Sequence, residues 1–178
     1  LFPYTTLFRS PSDMVRLCSE LRDEMDWVLI DSPAGIERGF RNALAPSDQV
    51  IVVTNPEVSA VRDADRIIGI IEAEEKGPGR LLINPLAPKM VADNNMISSD
   101  DIIDLLAVDL LGIIPEDKNV LISTNTGVPI ALDEKALSGQ AYRNVATRLM
   151  GEGVPFLDLH KQTGLFGRLS SVFGSGEN

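Results

Sequence analysis

The sequence is short of the residues on which several kinds of chemistry depend. It has one cysteine, Cys18, and one histidine, His160, among 178 residues. A disulfide within the chain and a Cys/His zinc cluster are both excluded. A Ser-His-Asp triad would have to recruit His160, which stands in a tail-like segment. Positive charge is also scarce: 16 Lys and Arg face 26 Asp and Glu, for a formal net charge of −10. Nucleic-acid grooves use Lys and Arg to displace counterions from phosphates, so nucleic acid is not an expected partner. No apolar run approaches the roughly 18 residues that cross a bilayer, and the N-terminus lacks the apolar core and small-residue cleavage site of a secretory signal. The expected location is cytoplasmic.

What is present points to an ordinary folded chain. Hydrophobic residues make up 44% of it, and a domain of this length buries roughly 70% of the surface its unfolded chain exposes. Residues 1–10, LFPYTTLFRS, show neither helical nor strand periodicity and no initiating methionine; they are expected to be a foreign or disordered leader. From Ser12, as N-cap, Val15, Cys18 and Leu21 recur at helical spacing. Four apolar runs of strand length follow: Trp27–Ile30, Val50–Val53, Leu81–Ile83 and Leu110–Ile114. Between and after them come helical patterns at Glu37–Ala45, at Val58–Glu75 with a stripe of Val61, Ala64, Ile68 and Ile71, at Ser99–Ala107 behind a Ser98 or Ser99 cap, and at Asp133–Met150. Continuous apolar strands alternating with helices predict an α/β fold, a doubly wound, mostly parallel sheet with helices on both faces.

Such sheets bind ligands beyond the carboxyl ends of their strands. The residues there are polar or turn-forming: Asp31-Ser32-Pro33-Ala34-Gly35, Thr54-Asn55-Pro56-Glu57, Asn84-Pro85 and Pro115-Glu116-Asp117. An aspartate at the end of an apolar strand can hold a water of a magnesium shell against nucleotide phosphates, or it can cap the helix starting near Ile36. Gly35 either lets a backbone N–H approach a phosphate or serves a tight turn. Asn84, taken alone, reads as a turn residue. The alternating charges of Arg62, Asp63, Asp65 and Arg66 read as a solvated helix face.

The strings DSPAGIE, TNPEVSAVRDADRI and LLGIIPEDKNVLISTNTGVPIAL together resemble the C-terminal part of the MinD family, septum-site-determining ATPases of the deviant Walker A group. The resemblance runs from about Trp27 to the end. It implies a truncated P-loop NTPase fold in which Asp31 is the Walker B-type aspartate, holding magnesium through water, and Gly35 belongs to the switch that senses the γ-phosphate. It implies that Asn84, with the Pro115-Glu116-Asp117 loop, reads the adenine of ATP, its amide offering the donor and acceptor that an adenine edge requires. The family usually has arginine after that asparagine; here Pro85 stands in its place. Arg62, Asp63, Asp65 and Arg66 become the dimer and partner surface, with MinC and MinE as partners and an ATP-bound homodimer as the active assembly. No K-G-G-x-x-K-T or G-x-x-x-x-G-K-[ST] string occurs. The intact family hydrolyses ATP with Mg2+, and this chain alone is expected to be inactive.

Residues 161–178 form the last segment, after a partial ATPase domain at 11–160. Leu165, Phe166, Leu169, Val172 and Phe173 share one helical face, and Arg168 and Lys161 add positive charge. Such a helix either docks on its own domain or lies in the headgroup region of a membrane, and the flanking Gly and Ser favour the second. The resemblance then implies a peripheral protein at the cytoplasmic face of the cell membrane, with two tails on a dimer binding through avidity of roughly 10²–10⁴. Alternative readings are a flagellar-placement or chromosome-partitioning ATPase of the same superfamily, and a non-catalytic membrane-binding adaptor.

Overall fold

A computed structural model describes residues 10–159. The leader expected at 1–10, apart from Ser10, and the apolar tail positions from Leu165 to Phe173 lie outside the described residues. Two compact units divide the chain: residues up to Val50 with Arg66–Gly79, and Ile51–Asp65 with everything from Arg80 onward.

The first unit opens with helix α1, Pro11–Arg22. Its cap is Ser10 rather than Ser12: the Ser10 Oγ accepts from the Asp13 N–H at 3.3 Å. Pro11 explains the earlier start, because a first helical position wastes no hydrogen bond on a residue without an N–H. Helix α2, Arg38–Leu44, follows and packs on α1, burying Phe40 and Leu44 while α1 buries Cys18. Arg22 reaches the Asp48 carboxylate at 2.5 Å, and the Lys76 ammonium donates to the Ala45 carbonyl at 2.6 Å.

Trp27–Ile30, expected as the first strand, is not one. Leu29 is 83% exposed, and no described residue forms a ladder with the run. An apolar run becomes a strand only where a neighbouring strand accepts its backbone hydrogen bonds.

The second unit holds a three-stranded parallel sheet, not four strands: β1, Ile51–Thr54; β2, Arg80–Leu86; and β3, Leu110–Pro115, in the order β1-β2-β3. Register pairs Val52 with Leu81 and Ile83 with Ile113. Leu81, Leu82 and Ile83 are consecutive and all buried. Side chains alternate sides along a strand, so this burial requires cover on both faces of β2.

Helix α3, Val58–Ala73, starts after β1 and carries the chain from the second unit into the first. Its Val61, Ala64, Ile68 and Ile71 are the buried stripe read from spacing. A short helix α4, Pro88–Ala92, and α5, Ser99–Leu106, lie between β2 and β3. Ser98 caps α5, its Oγ accepting from the Asp101 N–H at 3.1 Å.

After β3 comes α6, Lys118–Thr126, then a 3-10 turn at Ile130–Leu132, then α7, Leu137–Leu149. The last helix begins four residues later than its pattern suggested, because the turn and an Asp133 carboxylate accepting from the Lys135 N–H at 2.9 Å hold the intervening chain out of helix. Helix α7 lies on β3. Leu82, Leu111, Ile114, Ala141 and Val145 form the buried cluster between them. Each large apolar side chain there is worth about 1.5–3 kcal/mol. Gly112 makes the close approach possible: a Cβ there would stand 2.5 Å from Val145 Cγ2.

Arg148, near the end of α7, fastens the chain that follows. Its Nη1 donates to the Leu111 carbonyl at 3.0 Å, its Nε to Val154 at 3.0 Å and its Nη2 to Pro155 at 2.9 Å. The guanidinium also lies 4.1 Å from the centre of the Phe156 ring. Partial burial, and then the nearby positive charge of Arg80, pull its pKa below the ordinary arginine value.

Candidate functional site

The carboxyl ends of β2 and β3 bring together Asn84, Pro115, Glu116 and Asp117. Leu86 is in register with Pro115, and its carbonyl accepts from the Glu116 N–H at 2.8 Å, so the loop leaving β3 is held against the end of β2. Asn84 lies within β2, half-buried, and its side-chain amide has no hydrogen-bond partner among the described residues. It is therefore a strand residue rather than a turn residue, with donor and acceptor unspent. Pro85 and Glu116 are exposed.

Asp117 is committed internally. One carboxylate oxygen accepts from the Asn119 N–H at 2.9 Å and caps α6. The other accepts from the Ser138 hydroxyl at 2.7 Å. Burial raises the carboxyl pKa, but these hydrogen bonds from Ser138 and Asn119 outweigh it and hold the pKa below the ordinary aspartate value. Ser138 is completely buried. The Asp117 carboxylate thus fixes the shape of the loop, and its charged oxygens are already occupied. Ser138 was not legible as a participant, since nothing in sequence links it to a residue 21 positions earlier; the small pair Ser138-Gly139 was the only signal of a tight approach.

Asp31 and Gly35 belong to the other compact unit. Asp31 does not end a strand; it lies in an irregular exposed segment. Nor does it cap α2, whose cap position is Glu37. Its carboxylate has no partner among the described residues. Gly35 adopts φ +92°, and a Cβ there would meet nothing within 4 Å. Backbone conformation, not crowding, is what asks for glycine at that point.

On α3, Arg62, Asp63, Asp65 and Arg66 are all exposed. None of the ion pairs among the described residues uses them. The face therefore presents two cations and two anions without internal partners. Among the described residues, no helix is long and apolar enough to cross a membrane.

Comparison with known proteins extends this geometry. Residues 4–97 match the family model described as cellulose biosynthesis protein BcsQ, a member of the ParA/MinD family. The septum site-determining protein MinD of Synechocystis is 54% identical over 146 residues, which are 82% of this chain and 55% of that protein. The structure of the MinC:MinD cell division protein complex of Aquifex aeolicus superposes with a TM-score of 0.80 at 41% identity, covering 84% of this chain and 62% of that one. MinD of Pyrococcus horikoshii, solved with Mg-ADP, has a TM-score of 0.65 at 24% identity, over 79% of this chain and 56% of that one, and supports the fold alone. The chain spans little more than half the length of the Synechocystis relative. The BcsQ match covers the first part of the sequence, whereas the MinD likeness extends over most of it and includes the loop of Glu116 and Asp117. A family model matched over more than half of the chain, on a parallel sheet with that loop at its carboxyl rim, places the chain in the ParA/MinD family, and the relatives it resembles at 54% and 41% identity are MinD proteins.

Proposed function

We propose that this chain is the larger part of a MinD-like ATPase that helps to position the division septum, and that the carboxyl rim of its sheet is the base-binding half of a magnesium-nucleotide site. The observation that carries the reading is the half-buried Asn84, its amide unspent, beside a loop that Leu86 and Ser138 hold in place. A bound adenine offers the donor and acceptor that such an amide matches. The Asp31 carboxylate, exposed and unpartnered, is suited to a water of the magnesium shell. Magnesium and ATP, when bound, would supply the phosphoryl group and the charge neutralisation for its transfer. In this chain Asn84 orients the base, the internal bonds of Asp117 keep the loop in place, and Gly35 allows the chain after Asp31 to bend.

The exposed charges of Arg62, Asp63, Asp65 and Arg66 are proposed as the surface for MinC and MinE and for the ATP-bound homodimer. A structure of MinD with MinC in Aquifex supports the first of these partners. Residues 161–178 are proposed as the membrane anchor, which places the protein peripherally at the cytoplasmic face of the cell membrane.

The test joins this chain to the N-terminal part of the Synechocystis relative and measures Mg-dependent ATP hydrolysis with and without Asp31→Ala and Asn84→Ala. Loss of turnover in the first variant and weakened ATP binding in the second are expected. Normal turnover in the Asp31→Ala protein would reject the assignment.

A further inference from the structure

Residues 152–159, which follow α7, lie in neither helix nor strand. Residues 154–157 are fastened by one arginine and by apolar contacts. The Arg148 guanidinium donates to the carbonyls of Val154 and Pro155 and lies on the Phe156 ring. Leu157 packs at the margin of the cluster under α7, and Leu159 is buried. The buried members of that cluster, Leu82, Leu111, Ile114, Ala141 and Val145, all belong to α7 and the sheet. Lifting the segment therefore leaves the core between α7 and the sheet closed.

One arm of Arg148 stays behind when the segment lifts. Strand β3 has an extra residue between the register pairs Leu81–Leu110 and Leu82–Gly112, and that residue is Leu111. A bulge leaves its extra residue unpaired in the ladder, and Arg148 Nη1 donates to the Leu111 carbonyl at 3.0 Å. This bond lies within the layer of α7 and β3, so the guanidinium is kept in place to receive Val154 and Pro155 again. The root of the segment is free to turn: Gly151 has φ +88°, and an added Cβ would meet nothing within 4 Å there or at Gly153. Two glycines in open space make a hinge. Asn144 and Arg148 bring polar groups to the small pocket beneath the segment, beside Ile113, Ala141 and Leu157. Water that enters as the segment lifts finds hydrogen-bonding partners there.

We propose that residues 152–159 form a strap that opens and closes as a unit on the intact layer of α7 and β3, with Arg148 as its fastening. Closed, it holds the chain at Leu159 against the fold. Open, it adds up to about 27 Å of extended chain to whatever follows. None of the residues at the carboxyl rim takes part, so the device stands apart from the nucleotide reading.

Labelling of the 178-residue chain with iodoacetamide tests it. In a Cys18→Ser background, Leu159→Cys reports the strap and Val145→Cys reports the core, both at positions that are 8% exposed. The strap thiol should react at least about tenfold faster than the core thiol, at a rate that low urea leaves unchanged, because local opening uncovers little surface. Adding Phe156→Ala should raise the strap rate about tenfold and leave the core rate as it was. Equal rates with equal urea dependence overturn the proposal, since the segment then leaves only when the whole unit unfolds. An equal effect of Phe156→Ala on both thiols overturns it too. Leu157→Cys, at the margin of the cluster, repeats the comparison with a less buried probe and must respond to Phe156→Ala as the strap thiol does; a response that follows the core thiol sinks the strap.

Discussion

The buried hydroxyl of Ser138 donates to the Asp117 carboxylate across 2.7 Å, tying the first turn of α7 to the first turn of α6. Two helices that share no apolar face are joined through one oxygen that serves as cap acceptor and one that serves as clasp. The loop between Pro115 and Asp117, which leads from β3 into α6, is thereby fastened at its α6 end to the start of α7.

Ser138→Ala removes that donor and leaves a carboxylate oxygen short of a partner. A hydrogen bond to a charged group contributes about 1.5–3 kcal/mol, and the denaturant midpoint should fall by the corresponding amount. The folded-state pKa of Asp117 lies below its unfolded value, so its contribution is complete above the unfolded pKa and disappears as pH falls through the folded one. Acid unfolding of the wild-type chain should therefore set in at lower pH than that of Ser138→Ala. Identical acid midpoints would refute the clasp.

Gly112→Ala tests the closeness of α7 to the sheet. The added methyl meets Val145, and overpacking of this kind costs about 1–3 kcal/mol. Val145→Ala in the same chain should recover part of the loss, giving a non-additive double-mutant cycle. Strict additivity would show that α7 shifts freely.

Much of this packing is legible from spacing alone. The stripe Val61, Ala64, Ile68 and Ile71 is buried as its period requires, and the strands at 51–54, 80–86 and 110–115 sit on their apolar runs. The failures have physical causes. Trp27–Ile30 satisfies every local requirement of a buried strand except a neighbour, and a neighbour is not a local property. Helix α6 escapes because Leu121 and Ile122 are adjacent rather than periodic, so no face announces itself; its Asp117 cap was the one usable sign. Within the rim, it is Leu86, two residues after Asn84, that is in register with Pro115 and accepts from the Glu116 N–H. The internal use of the Asp117 carboxylate is a long-range fact that spacing does not carry.

Arg148→Ala should destabilise the chain by about 2–4 kcal/mol, since three carbonyls lose a charged donor at once. Hydrogen exchange should rise at residues 154–157 more than in α7 itself. Arg148→Lys, with one ammonium in place of a planar fork, should restore little of the loss. A uniform rise across the second unit would argue that Arg148 merely supports the core.

Calorimetry of the present chain with Mg-ATP should register no tight binding, because no lysine-bearing glycine loop grips the phosphates. A submicromolar, magnesium-dependent isotherm would contradict the reading of the rim as half a site.

Phe166→Asp/Phe173→Asp should abolish sedimentation with phosphatidylglycerol vesicles. Persistent co-sedimentation would remove residues 161–178 from the role of anchor.

Every hydrogen bond that the Arg148 guanidinium donates ends on a main-chain oxygen, of Leu111, Val154 or Pro155. Substitutions at Val154 and Pro155 can therefore accumulate without loosening the fastening, provided the backbone keeps its course, while Leu111 stays apolar because its side chain belongs to the core. Related sequences that retain this architecture should vary at those two accepting positions and stay fixed at the donor, a pattern opposite to that of a side-chain ion pair, in which both members must change together.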